Sequence, residues 1–598
     1  MSVARLRPSW ALLLAGACVL CYANGLTGDF TYDDKAIVRD NFRIRSISRV
    51  GDIFTTQYFG GPRGTGTAYR PILLLSFAVQ WWIHGPAPVP FHVVNVLLHV
   101  AATLLLARLF LRVGIPPPSA VGAALIFAVH PLHVEAVTSI VGRGETLAAV
   151  LALSCILLAL RWADGGRRRG RALAASLFAY LLANLTKESA AVVPALVFLF
   201  LAWSAEGGLG ARLRAAWRRG LPFYGASAIV LVGVFALRAA ILGGALRSKN
   251  TGIFQLENPL APLSPVARAA NASAIFFRYL GRLVLPVRLS ADESAWSLLV
   301  LTPHQLLFLA APALLAALCA AAVWRLRDRS VAAVGLLFFV LAALPASNIL
   351  FPTGTIFAER LMYLPSAGFC LIAGAAVVGA AGRFAEVPLS RLSALTALAI
   401  ALGARAVIRN TIWDSDLALF ANLVRESPAS AKAHYDYAYA SAETGETRKA
   451  LEHYARATEI FPRYWDAWAG QGRMRRALGD LEGAEEDYAQ ALRCNPTYEN
   501  GFFGLGLVRE ERGDTAGAEE AYRKGIASNP KSFPLAYRLA IVLSVQGRPQ
   551  ARHAWHRALA LAPDSKAAQR GYAEWLARSK ESQVPSSKSQ VEDSRPGT

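Results

Sequence analysis

Long apolar runs separated by short basic stretches fill residues 1–409. Runs near 9–26, 91–112, 119–138, 145–162, 172–187, 189–205, 221–243, 304–324, 331–348, 363–382 and 392–408 approach the length that crosses about 30 Å of hydrocarbon as a helix, several of them slightly short. They predict eleven crossings. Four Arg-bearing stretches, 161-RWADGGRRRGR-171, 212-RLRAAWRR-219, 325-RLRDR-329 and 383-RFAEVPLSR-391, then join Arg5 and Arg7 on the cytoplasmic side. An odd number of crossings with the N-terminus inside puts residue 410 onward outside. Two apolar stretches do not fit as spans. Residues 71–84 are short and Trp-bearing, and 271–289 carry Arg278, Arg282 and Arg288. Three Arg on a lipid-facing span are expensive, so both are predicted to be interfacial or re-entrant helices. The first run is long for a signal peptide and reads as an uncleaved anchor. Either way, the long segment 27–90 faces outward.

The pattern changes after residue 410. Pro428, Pro462, Pro496 and Pro530 recur every 34 residues, as do Gly445, Gly479, Gly513 and Gly547. Helix-face residues keep the same phase: Ala450, Tyr454 and Ala457 return as Ala484, Tyr488 and Ala491, then as Ala518, Tyr522 and Gly525. This period, with small residues at helix contacts and Gly in the turn, resembles the tetratricopeptide repeat. Helix pairs of this kind bury their apolar faces only by stacking. The predicted fold is therefore all-α. A polytopic helical bundle (1–409) is followed by a linker (410–430), an α-solenoid of four repeats with a capping helix (431–577) and a tail of disordered composition (578–598).

Composition sharpens this picture. Of 598 residues 54% are hydrophobic and 17% charged, against about 25% charged in soluble domains. The net charge of +21 belongs wholly to residues 1–409, since residues 410–598 balance 25 basic against 25 acidic side chains. Positive charge spread between apolar runs indicates membrane topology and lipid-phosphate contacts, and argues against a nucleic-acid partner. Six Cys form no disulfide framework, and Cys18 and Cys21 read as packing residues in an apolar helix. The sequence has no phosphate-binding P-loop and no dinucleotide fingerprint, which argues against a soluble nucleotide-sugar or NAD domain.

Candidate chemistry gathers at the outer ends of the predicted helices. Asp33 and Asp34 follow the first helix in 28-GDFTYDDKAIVRDN-41 and are candidates for a general base at the membrane surface. A second carboxylate beside a base raises its pKa or orients an acceptor. Asp34 ranks narrowly ahead of Asp33, since nothing in the sequence separates them geometrically. Arg70 follows in the same loop, and His92, Asn95 and His99 form a polar stripe on one helix face. His130, His133, Glu135, Arg143, Lys187, Glu188, Glu359 and Arg360 fall at the same outer level and are predicted to line the substrate mouth. Pro131 between the two His argues against a two-His metal helix. No metal ligand set and no certain cofactor is predicted; a divalent metal is conceivable without being supported. In the repeats, Tyr435, Tyr437, Trp465 and Trp468 are candidate protein contacts.

FTYDD with IVRDN, YRP, FHVVNVLLH, HPLHVEAVTSIVGRGE, KESA, ERLMYLPSAGF and the C-terminal repeats resemble the transmembrane and tetratricopeptide-repeat-containing proteins, and more broadly polytopic glycosyltransferases of GT-C type. The resemblance covers nearly the whole chain. It implies transfer of a sugar, mannose, from a polyprenyl-phosphate carrier to Ser/Thr hydroxyls of proteins, with inversion. It places Asp33 or Asp34 at the family's acidic position in the first outer loop. It also implies a lipid-linked donor, a protein acceptor held by the repeats and a multi-pass membrane location. The repeats would be periplasmic in a bacterium and lumenal in the endoplasmic reticulum of a eukaryote. Two other classes compete: an outer-face enzyme like O-antigen ligase, and a non-enzymatic membrane scaffold for the repeats.

Overall fold

A computed structural model of the chain describes residues 6–59, 68–243, 256, 258–293, 300–384 and 388–581. Apart from one isolated bridge between Glu293 and Phe357, the ordered elements among these residues are helical. The chain divides into two compact units, 1–433 and 434–598.

In the first unit all eleven predicted runs form helix, but fewer than eleven qualify as spans. Among the described residues, six helices are long and apolar enough to cross a membrane: Pro8–Thr27, Pro88–Arg112, Arg143–Ala163, Leu209–Ile241, Leu306–Asp328 and Ser393–Trp413. Pro117–Val129 and Pro131–Thr138 make a seventh if the pair, bent by 50° at Pro131, is one span. Glu188–Ser204, Val331–Ala346 and Ser366–Ala380 are apolar but shorter. The 172–187 run lies in Arg169–Thr186, whose first turn is basic. Polar residues and prolines near the helix ends thus interrupt runs that hydropathy alone extends. The stretches 71–84 and 271–289 are not among the spans. Helix Pro71–His84 packs Leu73, Leu74 and Phe77 on Phe30, Ile37, Val38 and Ile44 of the outer loop. In helix Pro265–Val284, Arg278 and Arg282 both pair with Glu293.

Small residues let these helices approach closely, the usual substitute for a hydrophobic drive inside lipid. A Cβ on Gly368 would lie 2.2 Å from the Gly335 carbonyl oxygen, and one on Gly374 would lie 2.5 Å from the Ala123 nitrogen. Gly368→Ala is therefore expected to separate helices Val331–Ala343 and Ser366–Phe384 and to cost about 1–3 kcal/mol. Gly379, on the latter helix, has open space around its Cβ position. Comparing thermal unfolding of Gly368→Ala with that of Gly379→Ala in detergent checks this: only the first should melt earlier.

The outer loop is tied from within. The buried Arg43 donates to Asn41 Oδ1 at 3.0 Å, Thr56 Oγ1 at 2.8 Å, the Gln57 carbonyl at 2.6 Å and the Tyr58 carbonyl at 2.7 Å. Asn410, at the end of the last long helix, donates to the Cys21 carbonyl and accepts from Thr138. This fixes the mouth of the loop to two other helix ends. Residues 410–430, read from sequence as a linker, contain helix Asp416–Glu426, N-capped by Ser415. That helix is in phase with the repeats: Asp416, Phe420 and Leu423 stand 34 residues before Ala450, Tyr454 and Ala457.

The second unit holds the helix pairs predicted by the 34-residue period, ending in helix Lys566–Glu581. Gly445, Gly479, Gly513 and Gly547 all have positive φ, the backbone region that makes Gly the natural turn residue. Gly470, Gly504 and Gly506 admit the rings of Tyr454, Tyr488 and Tyr522, which a Cβ would strike within 2.6 Å.

Candidate active site

Asp33 and Asp34 are adjacent but have opposite environments. Asp34 is fully buried and its carboxylate accepts from the backbone N–H groups of Val141 at 2.8 Å, Ile140 at 3.2 Å and Thr31 at 3.3 Å. The Ser139 and Thr31 hydroxyls add longer bonds at 3.4 Å. Burial pushes its pKa up to about 7 against the pull of those N–H groups. It ties the outer loop to the turn before helix Arg143–Ala163. The Asp33 carboxylate accepts no hydrogen bond from a described residue and is half-buried. Burial raises its pKa, Arg360 and Lys432 oppose that, Asp292 adds to it and Arg70 again opposes it.

The charges that act electrostatically on Asp33, Arg360, Lys432, Asp292 and Arg70, come from distant parts of the chain. Arg70 donates to Glu188 at 3.1 and 3.3 Å and lies over the Tyr58 ring at 5.2 Å. Glu188 also accepts from Arg238 at 2.6 Å. Lys187 pairs with Glu145, and burial lowers its pKa; Glu145 opposes this, while Arg70 and Arg360 reinforce it. Arg360 pairs with Glu135 through its guanidinium and its own backbone N–H, the latter at 2.7 Å. Lys432 pairs with Asp292 at 2.7 Å. Each of the carboxylates Glu135, Glu145, Glu188 and Asp292 is thus committed to a cation, while Asp33 is not.

The backbone before Asp33 is strained. Tyr32 has φ +52°, a left-handed conformation rare for bulky residues that costs about 1–3 kcal/mol. Its N–H donates to Asp416 Oδ1 at 2.7 Å, and its hydroxyl accepts from Lys432 Nζ at 2.9 Å. The ring meets Phe420 edge-on at 5.6 Å.

Several residues predicted to line the mouth are instead internal braces. His130 and His133 are fully buried; His133 Nε2 lies 2.7 Å from Ser366 Oγ and His130 Nε2 lies 3.0 Å from the Leu283 carbonyl. Arg143 is sandwiched by Phe77 and Phe91, with ring centroids at 4.6 and 5.6 Å, and donates to Asn95 Oδ1 and the Phe91 carbonyl. Glu359 pairs with the equally buried Arg409 at 2.8 Å. The stripe of His92, Asn95 and His99 makes interhelical bonds to Gly28, to Ser139 and Ile140, and to Tyr363. Arg70 and Arg360 act electrostatically on Asp33; Glu188 and Glu135 are their partners, and Lys187, paired with Glu145, senses the charges of both Arg. Sequence reasoning missed Arg238, Asp292, Lys432 and Asp416, which carry no motif and lie up to 399 residues from the acidic pair.

In the repeats, Tyr435 packs on Tyr454 and Tyr464, Tyr437 is buried against His453, and Trp465 and Trp468 lie on the core around Tyr488. All four have packing partners. Among the described residues, no group of three or more His, Cys, Asp or Glu side chains is placed to hold a metal ion.

Residues 414–462 and 442–499 match the family model for the tetratricopeptide repeat. The chain is 30% identical over 516 residues to Protein O-mannosyl-transferase TMTC1 of Homo sapiens, covering 78% of this chain and 57% of that protein. It is 28% identical to Protein O-mannosyl-transferase TMTC4 of Mus musculus, covering 75% and 66%. It is 26% identical to Protein O-mannosyl-transferase F38B6.6 of Caenorhabditis elegans, covering 76% and 63%. The chain thus spans 57–66% of the length of these curated relatives. Its apolar helices, its repeats and these relatives together make it a membrane protein of the tetratricopeptide-repeat-bearing kind, related over three quarters of its length to the protein O-mannosyl-transferases.

Proposed function

We propose that this multi-pass protein moves mannose from a polyprenyl-phosphate carrier to Ser/Thr hydroxyls on the outer or lumenal side of the membrane, with Asp33 as general base. The observation that carries this reading is the uncommitted Asp33 carboxylate facing a cluster of fixed cations. An acceptor hydroxyl gives its proton to Asp33 as its oxygen attacks the anomeric carbon. The bond from that carbon to the phosphate oxygen breaks, and the electron pair leaves on the polyprenyl phosphate. Arg360, Arg70 and Lys187 are the cations that would stabilise the growing charge, already held in place by their carboxylates. Burial raises the pKa of Asp33, which makes it a stronger base than an exposed aspartate.

A second feature supports a lipid donor. An apolar cavity of about 310 Å³ lies between helices Pro265–Val284, Leu306–Arg325 and the end of Val331–Ala343, lined by Phe276, Pro312, Leu315 and Val340 among others. One turn beyond Phe276, Tyr279 bonds to Ala358 beside Arg360. A charged mouth near an apolar slot matches an isoprenoid phosphate.

Purified protein incubated with labelled polyprenyl-phosphate mannose should pass label to a Ser/Thr peptide; no transfer at any peptide concentration would end this reading. The repeats would supply the protein-recognition surface. Removing 465–577 is expected to reduce modification of a whole-protein acceptor more than that of a short peptide, and an equal loss on both would exclude such a role.

A further inference from the structure

Helix Asp416–Glu426 keeps the register of the repeats, yet two of its face residues serve another purpose. The position that is Ala in later repeats is Asp416, and the position that is Tyr or Trp is Phe420. Asp416 accepts the Tyr32 N–H on one carboxylate oxygen and pairs with Lys35 through the other. Phe420 abuts the Tyr32 ring, and Lys432 binds the Tyr32 hydroxyl while lying 5.5 Å from that ring's centre. On the far side of Asp33, Asp34 is pinned to Ile140 and Val141. Asp33 is thus suspended between two fixed residues.

We propose that helix Asp416–Glu426 and Lys432 form a positioning latch, holding Tyr32 in its left-handed conformation so that Asp33 is presented to the cation cluster. The strain at Tyr32 persists because Asp416, Phe420 and Lys432 all determine it. The latch makes the segment leading into the repeats a working part of the site. Asp416 and Lys432 act through Tyr32 and are positioning residues. The proposal rests on the assignment of Asp33 as base for its effect on rate, but not for its effect on backbone conformation.

The test uses the full-length protein with two readouts. The first is hydrogen exchange of residues 28–39. Asp416→Ala should speed exchange at Tyr32 by about tenfold or more, because its N–H loses its acceptor. Asp416→Asn keeps an acceptor oxygen and should restore most of the protection. The second readout is kinetic. Asp416→Ala should lower kcat by about 10–10² with donor KM within about twofold, since a misplaced reacting group slows chemistry rather than binding. Lys432→Met tests the latch through pH. The groups that act electrostatically on Asp33 are Arg360, Lys432, Asp292 and Arg70, and the neighbouring Asp34 and Tyr58 are coupled to it. Removing the Lys432 cation and freeing Asp292 both favour protonated Asp33, so the acid limb of kcat should move to higher pH. Adding Asp292→Asn should reverse part of that movement. Faster exchange in Asp416→Ala in a wild-type chain that transfers no sugar would uphold the latch and overturn the activity. Unchanged exchange in folded Asp416→Ala, or equal exchange in Asp416→Asn and Asp416→Ala, would overturn the latch. If Asp416→Ala does not fold, Lys432→Met decides: unchanged exchange at Tyr32 in that variant overturns the latch.

Discussion

Asp33→Asn is expected to lower turnover by about 10²–10⁴-fold while leaving donor binding near normal. Asn keeps the size and polarity of the side chain and removes its basicity. The raised pKa of Asp33 gives the prediction a second signature. Asp33 works only when ionised, so wild-type turnover should fall as pH drops through that raised value. The variant's residual rate should lack this limb. Asp34→Asn is a different experiment. It replaces a carboxylate that accepts from three backbone N–H groups with an amide that has a single acceptor oxygen. Its main expected effect is on stability, about 1–3 kcal/mol for buried donors left without acceptors. Rates at saturating donor, measured across pH beside thermal unfolding, separate the two variants.

The second large effect is expected at the Glu359–Arg409 pair. Both side chains are buried, at 0% and 1% exposure, and Arg409 also donates to the Leu289 carbonyl at 3.0 Å. Arg409→Met leaves the buried Glu359 without its counterion. Burial already raises its pKa to about 8, so at pH well above that the unpaired charge is expected to cost about 3–5 kcal/mol. At lower pH the carboxyl takes up a proton and the cost shrinks. The double variant Arg409→Met with Glu359→Gln removes both charges and should recover much of that loss. Thermal unfolding of the single and double variants is the check, and equal destabilisation in both would show that the charge is not what matters. Arg360→Gln, one residue from Glu359, is expected to act mainly on kcat, because Arg360 faces Asp33.

That contrast shows how far the site was legible in the sequence. Glu359 and Arg360 stand side by side in one short outer motif, and hydropathy puts both at the same membrane level. The 3₁₀ turn Glu359–Met362 sends the first to Arg409 and the second to Glu135. Asp33 and Asp34 diverge in the same way, and the narrow preference for Asp34 had no geometry behind it. The level of a polar residue follows from the length of the neighbouring apolar run, so the convergence at the outer ends was readable. The direction of its side chain depends on turns that carry no periodicity. The repeats were legible because their 34-residue period repeats the same contacts. Helix Asp416–Glu426 was not, because Asp416 breaks the small-residue signature where it reaches Tyr32. Lys432 and Asp292 were invisible for a simpler reason: an isolated Lys or Asp in a polar stretch has no sequence mark that distinguishes it from a solvated one.

The anomeric configuration of the product tests the central claim most directly. A single general base at Asp33, with the hydroxyl attacking opposite the phosphate, permits only a direct displacement. Transfer from a polyprenyl-phosphate mannose of defined configuration to a Ser/Thr peptide, followed by NMR of the glycopeptide, should give the inverted anomer. The retained anomer would require a covalent sugar intermediate or attack on the face the phosphate leaves, and would contradict the role assigned to Asp33.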